Sequence, residues 1–212
     1  MPCPLLMYYR GMNVIRFEDT DAPNIIQQVV AVLKQEKLAI LPTDTVYGVM
    51  ALATGEEAIK RLYRAKGRDP RKPTALLVSS LEMAKEYIGN DLVSKLGKRF
   101  WPGPLTIIKE AKIKIGSWPK LGIRVPDELF LLQVLEKVGE PLLASSANLA
   151  GEKPPTDLSQ VSSELAEQVD IAVDKGSTKL KAESTIIEIT GNSFKIMRSG
   201  SVSENQIKQA LN

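Results

Sequence analysis

Residues 38–53 read "LAILPTDTVYGVMALA", in which the polar segment "PTDTVYG" (42–48) separates two apolar runs. The apolar runs predict two short buried strands, so the polar segment lies where the hydrophobic pattern places the core. Buried polar groups cost free energy unless they find hydrogen-bond partners. The segment therefore predicts either a turn whose threonine and aspartate side chains satisfy nearby amides or the floor of a binding site.

Helical and strand patterns alternate on both sides of this stretch. Helical spacing predicts helices within 24–36, 56–66, 79–88, 127–138, 157–169 and from 203 onward, with Ser79, Asp127 and Ser203 as caps. Short apolar runs predict strands within 38–41, 49–53, 74–79, 101–110, 121–126, 141–148, 170–173, 184–189 and 193–198. The interleaving predicts an α/β fold, with a largely parallel or mixed sheet first and antiparallel pairing near the end. We expect one domain over residues 12–212 and a loose tail at 1–11.

The 212-residue chain contains no histidine and a single cysteine, Cys3. This composition excludes Ser-His-Asp and Cys-His catalysis, histidine metal sites, an intrachain disulfide and a multi-cysteine metal site. Any chemistry must use lysine, arginine, hydroxyl groups, carboxylates and backbone amides. The net charge of +3 is compatible with an anionic ligand or with RNA. No apolar run approaches the ~20 residues of a membrane span, so we expect a cytoplasmic protein that does not cross a membrane.

A basic segment at residues 60–72, "KRLYRAKGRDPRK", carries seven basic residues and one acid. A charge run is usually the solvated face of a helix, and the first part of this segment fits that interpretation. Lys66 and Arg68 instead follow the predicted helix, around Gly67. Packing requires no charge there, whereas phosphate binding does.

Further polar groups stand at strand ends, where open α/β sheets bind ligands. Arg124 interrupts an apolar strand and faces either solvent or a cleft, where it would bind a carboxylate. The segment "ASSAN" (144–148) follows a buried strand, "AEST" (182–185) opens a late one, and Arg198 ends its neighbour. The sequence contains neither a phosphate loop nor a dinucleotide fingerprint. Nucleotide phosphates would therefore be held by basic side chains and hydroxyl-bearing strand ends.

In this order, seven segments resemble the signatures of the YrdC/TsaC family, the L-threonylcarbamoyladenylate synthases. They are "PTDTVYG", "KGR", "WPGPLT", "GIRVP", "SSAN", "ESTII" and "MRSG", and together they span residues 42–200. The resemblance implies a YrdC/RibB-like twisted sheet flanked by helices, with a large concave basic cavity. It also implies the short form of the family, without the C-terminal domain of the longer Sua5-type relatives.

The resemblance further implies a reaction in which L-threonine and bicarbonate form N-carboxythreonine, whose carboxylate attacks the α-phosphate of ATP. Pyrophosphate leaves and threonylcarbamoyl-AMP remains. A tRNA threonylcarbamoyl transferase complex would then transfer the threonylcarbamoyl group to tRNA, giving N6-threonylcarbamoyladenosine. Because the attacking group is already an anion, positioning and charge neutralisation can carry the chemistry without histidine.

Carried over by position, the family's site implies a threonine pocket and an adjoining nucleotide site. The implied threonine-binding residues are Thr43, Thr45, Tyr47 and Arg124. Lys66 and Arg68 would be catalytic and grip the ATP phosphates, and the rest of the nucleotide site would be Ser146, Asn148, Ser184, Thr185 and Arg198. Mg²⁺ is expected with ATP, but the sequence indicates no protein ligand for it.

Some positions depart from the family pattern. Asp69, Ser145, Pro154, Lys181 and Ser199 stand where the family usually has other residues, and none of them removes a charge from the implied site. Two alternatives stay open. One is a carbamoyl-adenylating relative within the fold, and the other, of a different class, is a non-catalytic RNA-binding module of the YciO type that uses the same basic cavity. Direct binding of tRNA or double-stranded RNA and the oligomeric state also stay open.

Overall fold

The structure is a computed structural model and describes residues 11–211. All of the predicted tail except Gly11 therefore lies outside the described residues, as does residue 212. Between residues 11 and 211, none of the helices combines the length and apolar composition needed to cross a bilayer.

Ten strands and seven α-helices occur within the described range. The strands are β1 (Asn13–Arg16), β2 (Ala39–Leu41), β3 (Gly48–Leu52), β4 (Ala75–Leu77), β5 (Leu105–Glu110), β6 (Lys120–Arg124), β7 (Leu142–Ser146), β8 (Ile171–Asp174), β9 (Thr185–Thr190) and β10 (Ser193–Arg198). The helices are α1 (Ala22–Lys34), α2 (Glu56–Ala65), α3 (Leu81–Ile88), α4 (Asp91–Phe100), α5 (Leu129–Val138), α6 (Ser163–Ala166) and α7 (Glu204–Leu211).

These strands form one sheet in the order β1-β8-β2-β3-β7-β4-β6-β5-β9-β10. Four neighbouring pairs are parallel (β1–β8, β2–β8, β4–β6 and β5–β9), and the other five are antiparallel. The mixed sheet confirms the predicted α/β fold, and the β9–β10 hairpin confirms antiparallel pairing near the end. That residues 12–212 form one domain stays a prediction.

The strand order brings distant polar segments together. The segment "PTDTVYG" leads into β3, β7 ends at Ser146, β6 ends at Arg124, and Ser184 immediately precedes β9. All four strands lie in the half of the sheet that runs from β3 to β9. Residues far apart in the chain therefore meet on this half.

The helices α1 and α5 pack against each other, and α1 also contacts β2 and β3. Helical spacing in α1 buries Ile25, Val29 and Leu33, while α5 buries Phe130 and Leu131. Burial of each such side chain stabilises the fold by about 1.5–3 kcal/mol before entropy is counted. Since β2 and β3 are buried along their whole length, they read as continuous apolar runs rather than alternating ones.

Two of the predicted helix caps are wrong by one residue. Ser80, not Ser79, caps α3 by accepting a hydrogen bond from the Met83 amide (3.1 Å). Glu128, not Asp127, accepts from the Phe130 amide at the start of α5 (3.4 Å). The predicted cap at Ser203 is confirmed, because Ser203 and Gln206 exchange backbone and side-chain hydrogen bonds.

The predicted helix at 157–169 is also wrong. The chain forms a 3₁₀ turn at Leu158–Gln160, becomes extended at Val161, and then forms the single turn of α6. Asp157 accepts from the Ser159 amide (3.1 Å), and Ser162 accepts from the Leu165 amide (3.4 Å). Such local side-chain bonds compete with a continuous helix, and apolar spacing alone does not reveal them. The strand β1 and the helix α4 were not predicted.

Gly200 fixes the end of β10 against the beginning of β9. A Cβ atom at this position would lie 2.5 Å from three backbone atoms, Glu183 O, Ser184 C and Thr185 N. The following residue, Ser201, donates its amide to Glu183 O (3.2 Å). A side chain at residue 200 would therefore displace the backbone that carries Ser184.

We expect Gly200→Ala to lower the free energy of unfolding by about 3 kcal/mol, the upper part of the range for overpacking, because its new contacts are backbone atoms that cannot rotate away. Gly191→Ala is the matched control. Gly191 has a positive φ of 58° but nothing within 4 Å, so only backbone strain of about 1 kcal/mol is added. Urea unfolding of both variants measures the difference. If the two variants lost the same free energy of unfolding, the role given to Gly200 would be contradicted.

Candidate active site

A cavity of about 230 Å³ lies on one face of the sheet half from β3 to β9. Its floor is built from residues two apart in each strand, since alternate residues share a face. These are Ala75 and Leu77 of β4, Thr106 and Ile108 of β5, Gly122 and Arg124 of β6, and Ala144 and Ser146 of β7. The walls include Thr43, Thr45, Arg68, Lys120, Glu183, Ser184 and Arg198.

The segment "PTDTVYG" is both a satisfied turn and a cavity wall. The Thr43 hydroxyl accepts from the amides of Thr45 (3.0 Å) and Val46 (3.2 Å) and donates to the Val46 carbonyl (2.7 Å). Thr43 therefore satisfies the turn. The Thr45 hydroxyl lies 2.8 Å from that of Thr43 and accepts a hydrogen bond from Arg124 (2.9 Å). Both threonines line the cavity, so the satisfied turn is confirmed and its role in a binding site stays a prediction.

Arg124 faces the cavity rather than solvent, with only 6% of its surface exposed. Its Nε donates to the Gly103 carbonyl (3.0 Å), its Nη1 donates to Thr45, and its Nη2 forms an ion pair with Asp44. Burial lowers the pKa of the Arg124 guanidinium, and the Asp44 carboxylate opposes that shift. Of its five N–H groups, two have no hydrogen-bond partner among residues 11–211.

Asp44 does not line the cavity, but it pairs with Arg124 and was not among the predicted site residues. It is 1% exposed, and its Oδ2 atom has no hydrogen-bond partner within the described part of the chain. The sequence contains a signal for it, because an acid between two apolar runs needs a cation and Arg124 stands inside another apolar strand. That Asp44 and Arg124 pair with each other became visible only in the tertiary structure.

Lys66 is buried beside the cavity and holds the "SSAN" loop. Its ammonium donates to the carbonyls of Ser146 (2.6 Å) and Asn148. Burial lowers the pKa of Lys66 to about 8, the nearby Arg68 charge adds to this shift, and Glu152 opposes it. The Asn148 side chain donates to the carbonyls of Leu149 and Glu152. Neither Lys66 nor Asn148 is among the residues that line the cavity, whereas Ser146 is.

Arg68 and Arg198 supply cations on two sides of the cavity. Arg68 donates to the Pro73 carbonyl (2.9 Å) and forms no ion pair with any carboxylate within residues 11–211. Arg198 pairs with Glu183 and donates to the carbonyl (2.9 Å) and hydroxyl (3.1 Å) of Ser184. Arg68 is thus the cavity cation most available to an anionic ligand.

Two further residues of the predicted site, Tyr47 and Thr185, do not line the cavity. The Tyr47 hydroxyl donates to the Gly176 carbonyl (2.7 Å) and accepts from the Lys175 amide (3.0 Å), and burial raises the pKa of this phenol. The Thr185 hydroxyl donates to the Val202 carbonyl (2.6 Å) and accepts from the Val202 amide (2.9 Å). Both hydroxyls hold neighbouring segments of the chain in place.

The cavity also contains residues that the sequence analysis did not name as site residues. Thr106, from "WPGPLT", forms a hydroxyl pair with Ser184 (3.0 Å). Lys120 lines the cavity and pairs with Glu188 (2.5 Å). The segment "WPGPLT" was among those that carried the family resemblance. The sequence around Thr106 does not show, however, which face of the strand its side chain occupies.

The described residues do not offer a resident metal site. No group of three histidine, cysteine, aspartate or glutamate side chains suited to a metal ion occurs from residue 11 to 211. Glu183 is the sole carboxylate lining the cavity in that range, and it is paired with Arg198. We therefore derive no step that passes through a protein-held metal.

A sequence profile of Sua5, YciO and YrdC proteins, described as "Telomere recombination", matches residues 31–200. The chain belongs to this family. Threonylcarbamoyl-AMP synthase of Bacillus subtilis is 32% identical over 195 residues, which cover 88% of this chain and 56% of that protein. The chain thus spans little more than half the length of some curated relatives, 55% for the one from Pyrococcus abyssi.

Solved structures of Sua5 and YciO share the fold of this Sua5/YciO/YrdC protein. Sua5 of Pyrococcus abyssi, in complex with L-threonine, matches with a TM-score of 0.86 and 28% identity, covering 94% of this chain and 60% of that one. YciO of E. coli matches with a TM-score of 0.81 and 22% identity, covering 92% and 98%. The second likeness supports the fold alone.

The lowered pKa of Lys66 predicts a pH dependence of stability. The folded protein releases the Lys66 proton near pH 8, whereas the unfolded chain keeps it until its ordinary pKa of 10.5. Between these values the unfolded chain binds more protons, so this group makes the free energy of unfolding rise with pH. We expect wild type to gain stability relative to Lys66→Met from pH 8 to pH 10, as measured by urea unfolding.

Lys72→Met is the control for this comparison, because it removes an exposed lysine from the same basic segment. Its stability curve should run parallel to that of wild type over the same pH range. If the Lys66→Met curve also ran parallel, the lowered pKa of Lys66 would be wrong.

Proposed function

We propose that this protein is an L-threonylcarbamoyladenylate synthase, which makes threonylcarbamoyl-AMP and pyrophosphate from L-threonine, bicarbonate and ATP. Its curated relatives named threonylcarbamoyl-AMP synthase support this activity, as does the L-threonine complex of a Sua5 structure. Neither the RNA-binding nor the carbamoyl-adenylating alternative is favoured by an observation on the described residues.

The observation that carries the proposal is a single cavity with two different anion-binding ends. At one end, the buried Arg124 keeps two N–H groups free, which suits the carboxylate of an amino acid. At the other end, Arg68 has no carboxylate partner among residues 11–211, which suits phosphate oxygens. An enzyme that joins an amino-acid derivative to a nucleotide phosphate needs both ends in one enclosure.

The proposed reaction needs no histidine base. The threonine nitrogen bonds to the carbon of bicarbonate and water leaves, which gives N-carboxythreonine. A carboxylate oxygen of this anion then bonds to the α-phosphorus of ATP, and the bond to the pyrophosphate oxygen breaks. The chain holds the two substrates in line and neutralises the charge that develops on the phosphate oxygens.

The proposed roles of individual residues follow their positions. Thr45 and Arg124 bind threonine, with Thr43 holding the turn that carries Thr45. Arg68, Arg198, Ser184 and Ser146 bind the nucleotide. Lys66 and Asn148 act by fixing the "SSAN" loop, because both make hydrogen bonds to its backbone carbonyls or to the carbonyls that follow it. Tyr47 and Thr185 are positioning residues, because their hydroxyls are used within the protein.

Several further expectations belong to this proposal. Mg²⁺ would arrive with the ATP phosphates, with water completing its coordination. The product would pass to a tRNA threonylcarbamoyl transferase complex for modification of tRNA. The cytoplasmic location, the short form and direct RNA binding stay predictions.

Incubation of the protein with ATP, bicarbonate and L-threonine tests the proposed function. We expect pyrophosphate release that requires threonine, and threonylcarbamoyl-AMP identified by mass spectrometry. Release that did not depend on threonine would contradict the proposal. No release together with tight RNA binding would favour the RNA-binding alternative.

We expect Arg68→Ala to raise the KM for ATP by roughly tenfold to hundredfold, the effect of losing a hydrogen bond to a charged group. The KM for threonine should change little. Arg64→Ala is the matched control, since Arg64 is an exposed arginine of α2 that does not line the cavity. Steady-state pyrophosphate release measures both variants. Similar KM values for ATP in the two variants would remove Arg68 from the phosphate site.

We expect Arg124→Ala to raise the threonine requirement more than the ATP requirement. The variant should also lose about 3–5 kcal/mol of stability, because Asp44 is left buried without its cation. Arg124→Lys keeps a charge opposite Asp44 but lacks the two-pronged guanidinium, so it separates the two effects. A larger change in the KM for ATP than in the KM for threonine would show that Arg124 binds the nucleotide rather than threonine.

A further inference from the structure

The floor and wall of the cavity carry a buried hydroxyl pair, of which the proposed function uses Ser184 but not Thr106. Thr106 Oγ1 of β5 lies 3.0 Å from Ser184 Oγ, and both residues line the cavity. Thr106 is 3% exposed and Ser184 is 4% exposed. Ser184 Oγ also accepts a hydrogen bond from Arg198 Nη2 (3.1 Å).

The two hydroxyl groups together have one proton more than their contacts within the protein require. Each hydroxyl carries one proton, and one of the two protons is shared between the two oxygens. Arg198 supplies its own proton to Ser184, so it uses none of theirs. No acceptor for the remaining proton occurs among residues 11–211. A buried donor without an acceptor is costly, which indicates that a ligand oxygen completes the pair.

The hydroxyl pair stands between two guanidinium groups. In the antiparallel pairing of β5 with β6, Ile107 faces Ile123, so Thr106 and Arg124 form the next facing pair. On the other side, Ser184 contacts Arg198 directly. Arg198 is also close enough to Arg124 for its charge to lower the pKa of Arg124. The free proton therefore lies in a region that favours an oxyanion.

We propose that the Thr106–Ser184 pair donates its free proton to an oxygen of the carbamate that forms from bicarbonate and the amino group of threonine. This inference rests on the proposed function. The carbamate must lie between the threonine carboxylate, held at Arg124, and the nucleotide phosphates, and the hydroxyl pair lies between Arg124 and Arg198. Thr106 is thus a substrate-contacting residue for the junction of the two substrates.

Steady-state kinetics of Thr106→Val test this inference, because valine keeps the shape of threonine and removes the donor. Under CO₂-depleted conditions with added bicarbonate, we expect the KM for bicarbonate to rise roughly tenfold or more, the value of a hydrogen bond to a charged group. The KM values for threonine and ATP should change less. Thr106→Ser should restore the bicarbonate requirement of wild type. If the Thr106→Val variant does not fold, the KM for bicarbonate of Thr106→Ala is compared with that of Thr106→Ser.

Thr74→Val is the matched control, since Thr74 lines the same cavity but donates its hydroxyl proton to the Ala144 carbonyl (2.7 Å). It should keep the bicarbonate requirement of wild type. The inference is overturned if Thr106→Val leaves the KM for bicarbonate unchanged. It is also overturned if Thr106→Val raises the KM for ATP or for threonine more than the KM for bicarbonate. The hydroxyl pair would then donate its proton to an oxygen other than that of the carbamate.

A binding experiment separates this inference from the proposed function. In calorimetric titrations, N-carbamoyl-L-threonine, which places a carbonyl oxygen where the carbamate would lie, should bind wild type more tightly than L-threonine does. Thr106→Val should abolish that difference. If wild type releases no pyrophosphate but shows this difference, the proposed function fails and the hydroxyl contact stands. The opposite result would be an active wild type whose ratio of affinities for N-carbamoyl-L-threonine and L-threonine equals that of Thr106→Val. In that case the proposed function stands and the hydroxyl contact is wrong.

Discussion

The buried ion pair between Arg124 and Asp44 is the constraint on which the site depends. It joins the end of β6 to the turn between β2 and β3, two segments 80 residues apart in the chain. Removing two charges from water costs several kcal/mol per ion, so the pair persists only because further hydrogen bonds complete it. Thr45 and the Gly103 carbonyl provide two of them. A buried ion pair is weak evidence for added stability, so we explain this pair by what it presents to the cavity.

Much of the fold could be predicted from the sequence because most strands are short apolar runs between turns. The strands β2 and β3 follow directly from "LAIL" and "VMALA". The helix α4 was not predicted, although Leu92, Val93, Leu96 and Phe100 stand at helical spacing; only three of its ten residues are buried. Residues 157–169 show the reverse error. Their apolar spacing is helical, but Asp157 and Ser162 bind local amides and break the segment into two turns.

The candidate site could be predicted only in part, for a related reason. Thr45, Arg68, Arg124, Ser184 and Arg198 line the cavity as expected, and charge in an apolar strand was an adequate signal for Arg124. Tyr47 and Thr185 lie in the same motifs, yet their hydroxyls serve backbone groups of Gly176 and Val202. A motif identifies the segment that builds a site. The direction in which each side chain points depends on strand pairing, and so the partnership of Arg124 with Asp44 and of Thr106 with Ser184 appeared only in the structure.

The strand order has a consequence for synthesis of the chain on the ribosome. The part of the cavity with Thr45 and Arg124 can assemble only once β7 has emerged, because β7 joins β3 to β4 and β6 in the sheet. The wall with Ser184 requires β9, which pairs with β5 across 80 residues, and then Arg198 and Gly200, which contact the start of β9. The cavity wall therefore remains incomplete until the chain has been made as far as residue 200.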